Sequence, residues 1–165
     1  KYCGAQTHTD KRTKTYYDPN IIVYRVTEVM LMKAEALILR SNTDTEADWT
    51  EAIQLMNEVR HRSNLEDLEF STNLSEEDML KMLLHERQIE FAGEGKSWYD
   101  LLRFGRRNNN KYKQLFIIQY VSTYNEQASE SWLRSVLSND DAHFLPIWEN
   151  ELKVNPLLIQ NPYYN

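Results

Sequence analysis

The distribution of proline constrains the fold of this chain more than any other feature of its sequence. No proline occurs between Pro19 and Pro146, a stretch that covers most of the 165 residues. Proline is excluded from helix interiors because it lacks the backbone N–H and clashes with the preceding turn. Three of the four glycines fall within residues 93–105. The long proline-free region therefore predicts an all-α fold, and the three prolines from Pro146 onward predict an irregular C-terminal tail.

Composition and charge exclude several classes of protein. The chain has 19 Lys and Arg against 25 Asp and Glu, a formal net charge of −6, which is unfavourable for general nucleic-acid binding. A hydrophobic fraction of 41% supplies a real core and excludes intrinsic disorder. Cys3 is the single cysteine, so neither an internal disulfide nor a cysteine-rich zinc site is possible. The sequence has no apolar run of about 18 residues that would span a membrane.

Apolar spacing and capping residues predict four helices, near residues 22–40, 46–62, 76–92 and 97–104. The first two are expected to form an antiparallel hairpin of tetratricopeptide-like type. Trp49, Ile53 and Met56 follow the spacing of one helical face and are expected to be buried against the first helix, which Ala34 and Ala36 would allow to approach closely. Ser75 and the acidic residues after it resemble a capping box at the start of the third helix.

The sequence after residue 107 gives weaker signals. We expect a helical part at about 20–107 and an irregular, mixed part at about 108–165. Residues 111–121 are compatible with either strand or helix, and residues 126–137 with a helix. From residue 142 onward, an extended tail packed on the helices is expected.

Two carboxylates on the third helix are the main candidates for chemistry. Glu86 and Glu90 lie one turn apart, and paired carboxylates can hydrolyse a glycoside. Carboxylates on the apolar-rich side of a helix are more often ion-paired with arginine, here Arg103 or Arg106. We therefore predict a buried or half-buried ion-pair network that fixes the turn at residues 93–95, formed by Glu86, Arg87, Glu90 and Arg103.

Other catalytic motifs are incomplete. His85 and Glu86 begin a zinc-protease motif, but Ile89 occupies the place of its second histidine. Gly95, Lys96 and Ser97 imitate the end of a phosphate-binding loop without its first glycine. No metal and no cofactor is predicted.

Aromatic residues of the irregular part suggest a different kind of site. An exposed ring at Tyr120, Tyr124 or Trp132 could stack on the face of a sugar. Burial statistics favour the alternative, in which these rings cover the core under loops.

Three blocks of sequence resemble the C-terminal part of the SusD/RagB family. The first comprises YRVTEVMLMKAEA at residues 24–36, with Arg25 and Glu28, and AIQLMNEVR at residues 52–60. The second, ERQIEFAGEGKSWYDLLRFG at residues 86–105, carries Glu86, Arg87, Glu90, Gly95, Trp98 and Arg103. The third runs from FLPI at residues 144–147 to QNPY at residues 160–163. Their order and spacing also match the family.

The resemblance implies a surface-exposed lipoprotein of the outer membrane that binds glycans or other nutrients without catalysis. Such proteins deliver the ligand to a SusC-like TonB-dependent transporter, on which they sit as a lid. Family members are longer, so residues 1–165 are expected to be a C-terminal segment of a mature or trimmed product, without the lipid anchor.

The matched motif residues are structural in this family, so the resemblance supplies no ligand contact. Tyr124 and Trp132 remain the candidate ligand-binding residues. Two other functions stay open: a glycoside hydrolase that uses Glu86 and Glu90, and a helical adaptor that binds only protein.

Overall fold

The computed structural model describes residues 23–40 and 45–165, in which all regular structure is helical and no β-strand occurs. The all-α prediction is confirmed. The division into two compact units falls between Leu68 and Glu69. The α-helices are α1 Val26–Leu39, α2 Thr45–His61, α3 Glu76–Glu90, α4 Ser97–Asn110, α5 Tyr120–Tyr124, α6 Glu130–Ser138 and α7 Glu149–Val154. A π-helix, Lys113–Gln119, precedes α5, so the segment that was compatible with strand or helix is helical.

The first unit contains the predicted antiparallel hairpin of α1 and α2. Ile53 and Met56 are buried as expected. Trp49 is only half-buried, and its indole N–H donates to the Ile38 carbonyl, near the end of α1, at 3.1 Å. Ala34 is fully buried, whereas Ala36 is exposed and plays no part in the close approach. Cys3, Ile22 and the connection between the two helices at residues 41–44 lie outside the described residues.

A capping box begins α3 in the second unit, as the sequence predicts. The Ser75 hydroxyl accepts from the Asp78 backbone N–H at 3.2 Å, and the Asp78 carboxylate accepts from the Ser75 backbone N–H at 3.1 Å. The helix ends at Glu90, and Gly93 and Gly95 follow with φ of +78° and +73°. Left-handed backbone of this kind favours glycine, and it turns the chain from α3 into α4.

The predicted end of α4 at residue 104 is too early, and Gly105 lies within the helix instead of following it. Regular helical backbone continues to Arg106; residues 107–109 are non-helical and Asn110 has a φ of 66°, so the end of α4 contains a kink. Gly105 is buried inside α4, where an added Cβ would lie 2.5 Å from Cγ1 of Ile117. Glycine is therefore needed for the close approach of α4 to the π-helix.

Gly105→Ala is expected to lower the free energy of unfolding by about 1–3 kcal/mol, the usual cost of overpacking a core. In a helix alanine is more favourable than glycine by up to about 1 kcal/mol. A lower free energy of unfolding in the variant would therefore be due to the clash of the added Cβ with Ile117. Urea unfolding measures the change, and the same substitution in an Ile117→Ala background is expected to cost less. An unchanged unfolding midpoint in the native background would contradict the close approach.

The C-terminal segment is more regular than predicted. The helix expected at residues 126–137 begins later, as α6, where the Ser129 hydroxyl accepts from the Trp132 backbone N–H at 3.3 Å. The tail includes a further helix, α7, and 3-10 turns at Asp141–His143 and Pro162–Tyr164. It packs on the helices as expected, since the Trp98 indole N–H donates to the His143 carbonyl at 3.2 Å.

Candidate functional site

A buried ion pair joins α3 to α4. Nε and Nη2 of Arg87 each donate at 2.9 Å to an oxygen of Asp100, and the two side chains are 2% and 3% exposed. Arg103 approaches the same carboxylate from the exposed side, at 2.9 Å from Nη1 to Oδ1. Bidentate contact between guanidinium and carboxylate is a strong, directional interaction. Asp100 therefore fixes the orientation of α4 against α3.

Two cation–π contacts on the Phe91 ring flank the turn between these helices. The Arg87 guanidinium carbon lies 5.0 Å from the centre of the Phe91 ring, and Lys96 Nζ lies 5.2 Å from it. The sequence predicted Arg87 and Arg103 here but missed Asp100. Asp100 lies three residues before Arg103 on the same helix, and this spacing could have predicted an ion pair between the two.

Glu86 and Glu90, the candidate catalytic pair, are 3% and 5% exposed. Both make interactions within the protein. A hydrolytic carboxylate has to contact the glycosidic oxygen or the anomeric carbon of its substrate. Burial of both groups therefore favours a structural role. Arg106, one of their predicted partners, instead lies over the Phe144 ring at 4.9 Å.

An aromatic cleft lies between α3 and the segment formed by the π-helix and α5. It encloses about 340 Å³ and is lined by Lys81, Leu84, His85, Gln88, Leu115, Phe116, Gln119, Tyr120, Thr123 and Tyr124. The Tyr120 and Tyr124 rings have centroids 4.6 Å apart and are tilted by 45°. Tyr124 is 71% exposed, whereas Tyr120 is half-buried and donates its hydroxyl to Gln88 Oε1. The cleft thus combines an open aromatic face with polar side chains.

A second, more open depression of about 480 Å³ shares Gln88, Tyr120 and Tyr124 with the cleft. Its other lining residues include Ser97, Leu101 and residues 125–127. The tyrosine pair therefore borders both concave surfaces.

The other predicted site residues lie elsewhere. Trp132 is 57% exposed on α6 and lines neither depression. Trp98 is half-buried and meets His143 edge to face, with ring centroids 6.2 Å apart. Arg25 and Glu28 belong to the first unit, where Glu28 is buried and Arg25 donates to the Thr27 hydroxyl at 2.9 Å. Trp98 and Arg25 make contacts within the protein, and Glu28 is buried in it.

Acidic partners neutralise much of the basic stretch at residues 103–113. Lys111 Nζ lies 3.0 Å from Glu76 Oε1, and Lys113 pairs with Asp140. The Tyr112 hydroxyl also donates to Glu76 at 2.6 Å, and this bond, with that of Lys111, holds the pKa of Glu76 below its ordinary value. Lys113 likewise lowers the pKa of Asp140. The stretch is therefore not a free basic surface for nucleic acid.

Tyr112→Phe is expected to raise the pKa of Glu76 toward its ordinary value, because the hydroxyl bond is the largest cause of the lowering. A lowered folded-state pKa stabilises the fold above the unfolded-state value, and that contribution is lost as pH falls through the folded-state value. A pH titration of the Glu76 side-chain carbon by NMR measures the shift. Tyr99→Phe, on an exposed tyrosine, is the control, and equal curves for all three proteins would exclude the bond.

Within the described residues, no group of three His, Cys, Asp or Glu side chains is placed to hold a metal ion. The helices of this same part of the chain are too short or too polar to cross a membrane.

Comparison with known proteins identifies the family. The model of the SusD family matches residues 1–164, so the chain belongs to the SusD family. The resemblance given by the three sequence blocks is confirmed. No solved structure matches the chain.

Two curated relatives come from Formosa agariphila. The SusD-like protein P38 is 29% identical over 153 residues, which cover 89% of this chain and 25% of that protein. The SusD-like protein P2 is 32% identical over 108 residues, which cover 62% of this chain and 20% of that protein. The chain therefore spans about a quarter or less of the length of the curated relatives that it matches.

Proposed function

We propose that this chain is the C-terminal segment of a surface-exposed outer-membrane lipoprotein that binds glycans or other nutrients. The bound ligand passes to a SusC-like TonB-dependent transporter. Membership of the SusD family, matched over residues 1–164, is the observation that carries the proposal. In this proposal a lipid anchor holds the protein at the membrane.

The proposed role is binding without catalysis. The two carboxylates that would act in a glycoside hydrolase, Glu86 and Glu90, are buried and engaged within the protein. Their burial supports a role in holding α3 in place. A substrate would have to displace this packing to reach them.

Tyr124 and Trp132 are the side chains of this segment that we propose for ligand contact. Both rings are largely exposed, and an aromatic face offers apolar area to the C–H face of a sugar. Most of the binding surface is proposed to lie in the part of the longer protein that precedes this segment. The segment alone is therefore expected to bind weakly or not at all.

A role in protein contact is the second candidate, and the C-terminal segment favours it. Large apolar side chains are exposed there at Leu145, Trp148, Val154, Leu157 and Ile159. Exposed apolar side chains in such number are typical of protein contact surfaces. A helical adaptor would use this surface alone, whereas the proposed binding protein would use it besides binding a glycan.

Titration calorimetry of the full-length protein with a panel of glycans tests the proposal. We expect saturable binding of at least one glycan, and co-purification of a TonB-dependent transporter from outer membranes. A protein that binds partner proteins but none of the glycans would be an adaptor. Tight binding by the 165-residue chain alone would contradict the proposal that most of the binding surface lies in the preceding part of the longer protein.

A further inference from the structure

We infer that the cleft between α3 and the π-helix–α5 segment is an accessory subsite for one sugar ring of a neutral oligosaccharide. The inference rests on the proposed function and deepens it. It assigns ligand contact to Tyr124 and not to Trp132, and it names the polar side chains that would surround the sugar ring. At about 340 Å³, the cleft lies within the size range of small-ligand sites.

Tyr124 provides the stacking face. Its side chain is 71% exposed, and its ring contacts the Tyr120 ring at a tilt of 45°, with centroids 4.6 Å apart. Tyr120 is itself half-buried and hydrogen-bonded to Gln88 of α3. A platform that is already ordered loses less conformational entropy when a ligand binds. The pair is thus a pre-formed surface for a sugar ring.

The polar residues of the cleft match the hydroxyl groups of a neutral sugar. Gln88, Gln119 and Thr123 all line it and offer both donors and acceptors. None of its ten lining residues is acidic, so it has no counter-ion for a cationic ligand. The Lys81 ammonium is paired with Glu77 at 2.6 Å, which reduces its attraction for an anion. Neutral hydroxyls are therefore the best match.

The backbone around the cleft also carries the signs of a functional site. A π-helix is rare and is often found at such sites, and here it supplies Leu115, Phe116 and Gln119 to the lining. Residues 108–110, just before it, are three successive asparagines with φ of 47°, 57° and 66°. Asparagine adopts this left-handed region more readily than most non-glycine residues, but usually as a single residue and not three in succession. This unusual backbone places Tyr120 and Tyr124 at the rim.

Phe116 anchors the same surface to the core. It is fully buried, and its ring packs edge to face with Phe104 and Tyr112 at 5.6 and 5.9 Å. The cleft therefore has a rigid floor below its exposed tyrosine.

Protein-observed NMR of the full 165-residue chain tests the subsite, with cellotriose, xylotriose and mannotriose as probes. We expect saturable shifts at millimolar concentrations, with at least one probe, in the Gln88 side-chain amide and the Thr123 backbone amide. Tyr124→Ala should weaken this binding by about tenfold, the loss typical of an anchoring aromatic. Tyr124→Phe should retain it. Tyr99→Ala, on an α4 tyrosine that lines neither depression and is 69% exposed, is the matched control and should change nothing.

Two results would overturn the subsite: no saturable shift at the cleft with any of the three probes, or the same affinity in wild type and Tyr124→Ala. Calorimetry on the full-length protein separates this failure from failure of the proposed function. If wild type and Tyr124→Ala bind a glycan equally, the subsite is wrong and glycan capture stands. If neither protein binds any glycan, the proposed function fails as well.

Discussion

Asp100→Asn is expected to lower the free energy of unfolding by about 3–5 kcal/mol, as measured by urea unfolding. The substitution removes a charge from a pair in which both side chains are almost fully buried. Arg87 would then keep its charge inside the protein while both of its donors to Asp100 lose a charged acceptor. Because α4 is oriented through this contact, the loss should also be visible as a lower thermal midpoint.

Arg134→Gln is the matched control for this prediction. It breaks an ion pair with Glu130 one turn away on the exposed side of α6. Pairs of that kind contribute about 0.3–0.5 kcal/mol. Equal losses in the two variants would show that the Arg87–Asp100 contact has no special role in stability.

Glu90→Gln is the second substitution with a large expected effect, again about 3–5 kcal/mol. The Glu90 carboxylate is buried and engaged within the protein, so its charge must be compensated by neighbouring groups. An amide of the same shape would leave those groups uncompensated. Differential scanning calorimetry measures the change in thermal midpoint, and Glu149→Gln, on an exposed side chain of α7, is the control.

An unchanged thermal midpoint in Glu90→Gln would show that Glu90 is not part of a stabilising ion-pair network. The same substitution at Glu86 addresses the catalytic alternative. If Glu86 were a hydrolytic group, its loss would abolish turnover of a reporter glycoside and leave stability nearly intact. We expect the reverse, a loss of stability with no turnover to lose.

Local rules placed the first four helices because their signals are confined to a few neighbouring residues. The capping box at Ser75 is formed as the sequence indicates, and Gly93 and Gly95 adopt the left-handed backbone that turns need. The spacing of Ile53 and Met56 also identified the buried face of α2. Each of these features depends on contacts within one or two turns of a helix.

The features that local rules missed depend on contacts between distant residues. Gly105 looks like a helix stop, yet it is a packing site because Ile117 approaches it from the π-helix. Asp100 gains its role only when α4 folds back on Arg87, thirteen residues earlier. The tail helix α7 has no buried residue, so it could not be predicted from a periodic pattern of apolar residues.

Two residues of the aromatic cleft could be identified from the sequence, but their arrangement could not. Composition and irregularity directed attention to Tyr120 and Tyr124, but not to their pairing or to Gln88 of α3. A π-helix, with hydrogen bonds between residues i and i+5, is rare, and the local sequence rules include no pattern that predicts one. The direction in which it presents Tyr120 and Tyr124 could therefore be learned only from the structure.

We propose that the protein holds a glycan and leaves it intact. Mass spectrometry of the oligosaccharide that co-elutes with the full-length protein in gel filtration, after prolonged incubation, tests this claim most directly. We predict that the oligosaccharide is retained at its original chain length. Shortened products that disappear in Glu86→Gln would make the protein a hydrolase, and the absence of any retained glycan across the panel would contradict glycan binding.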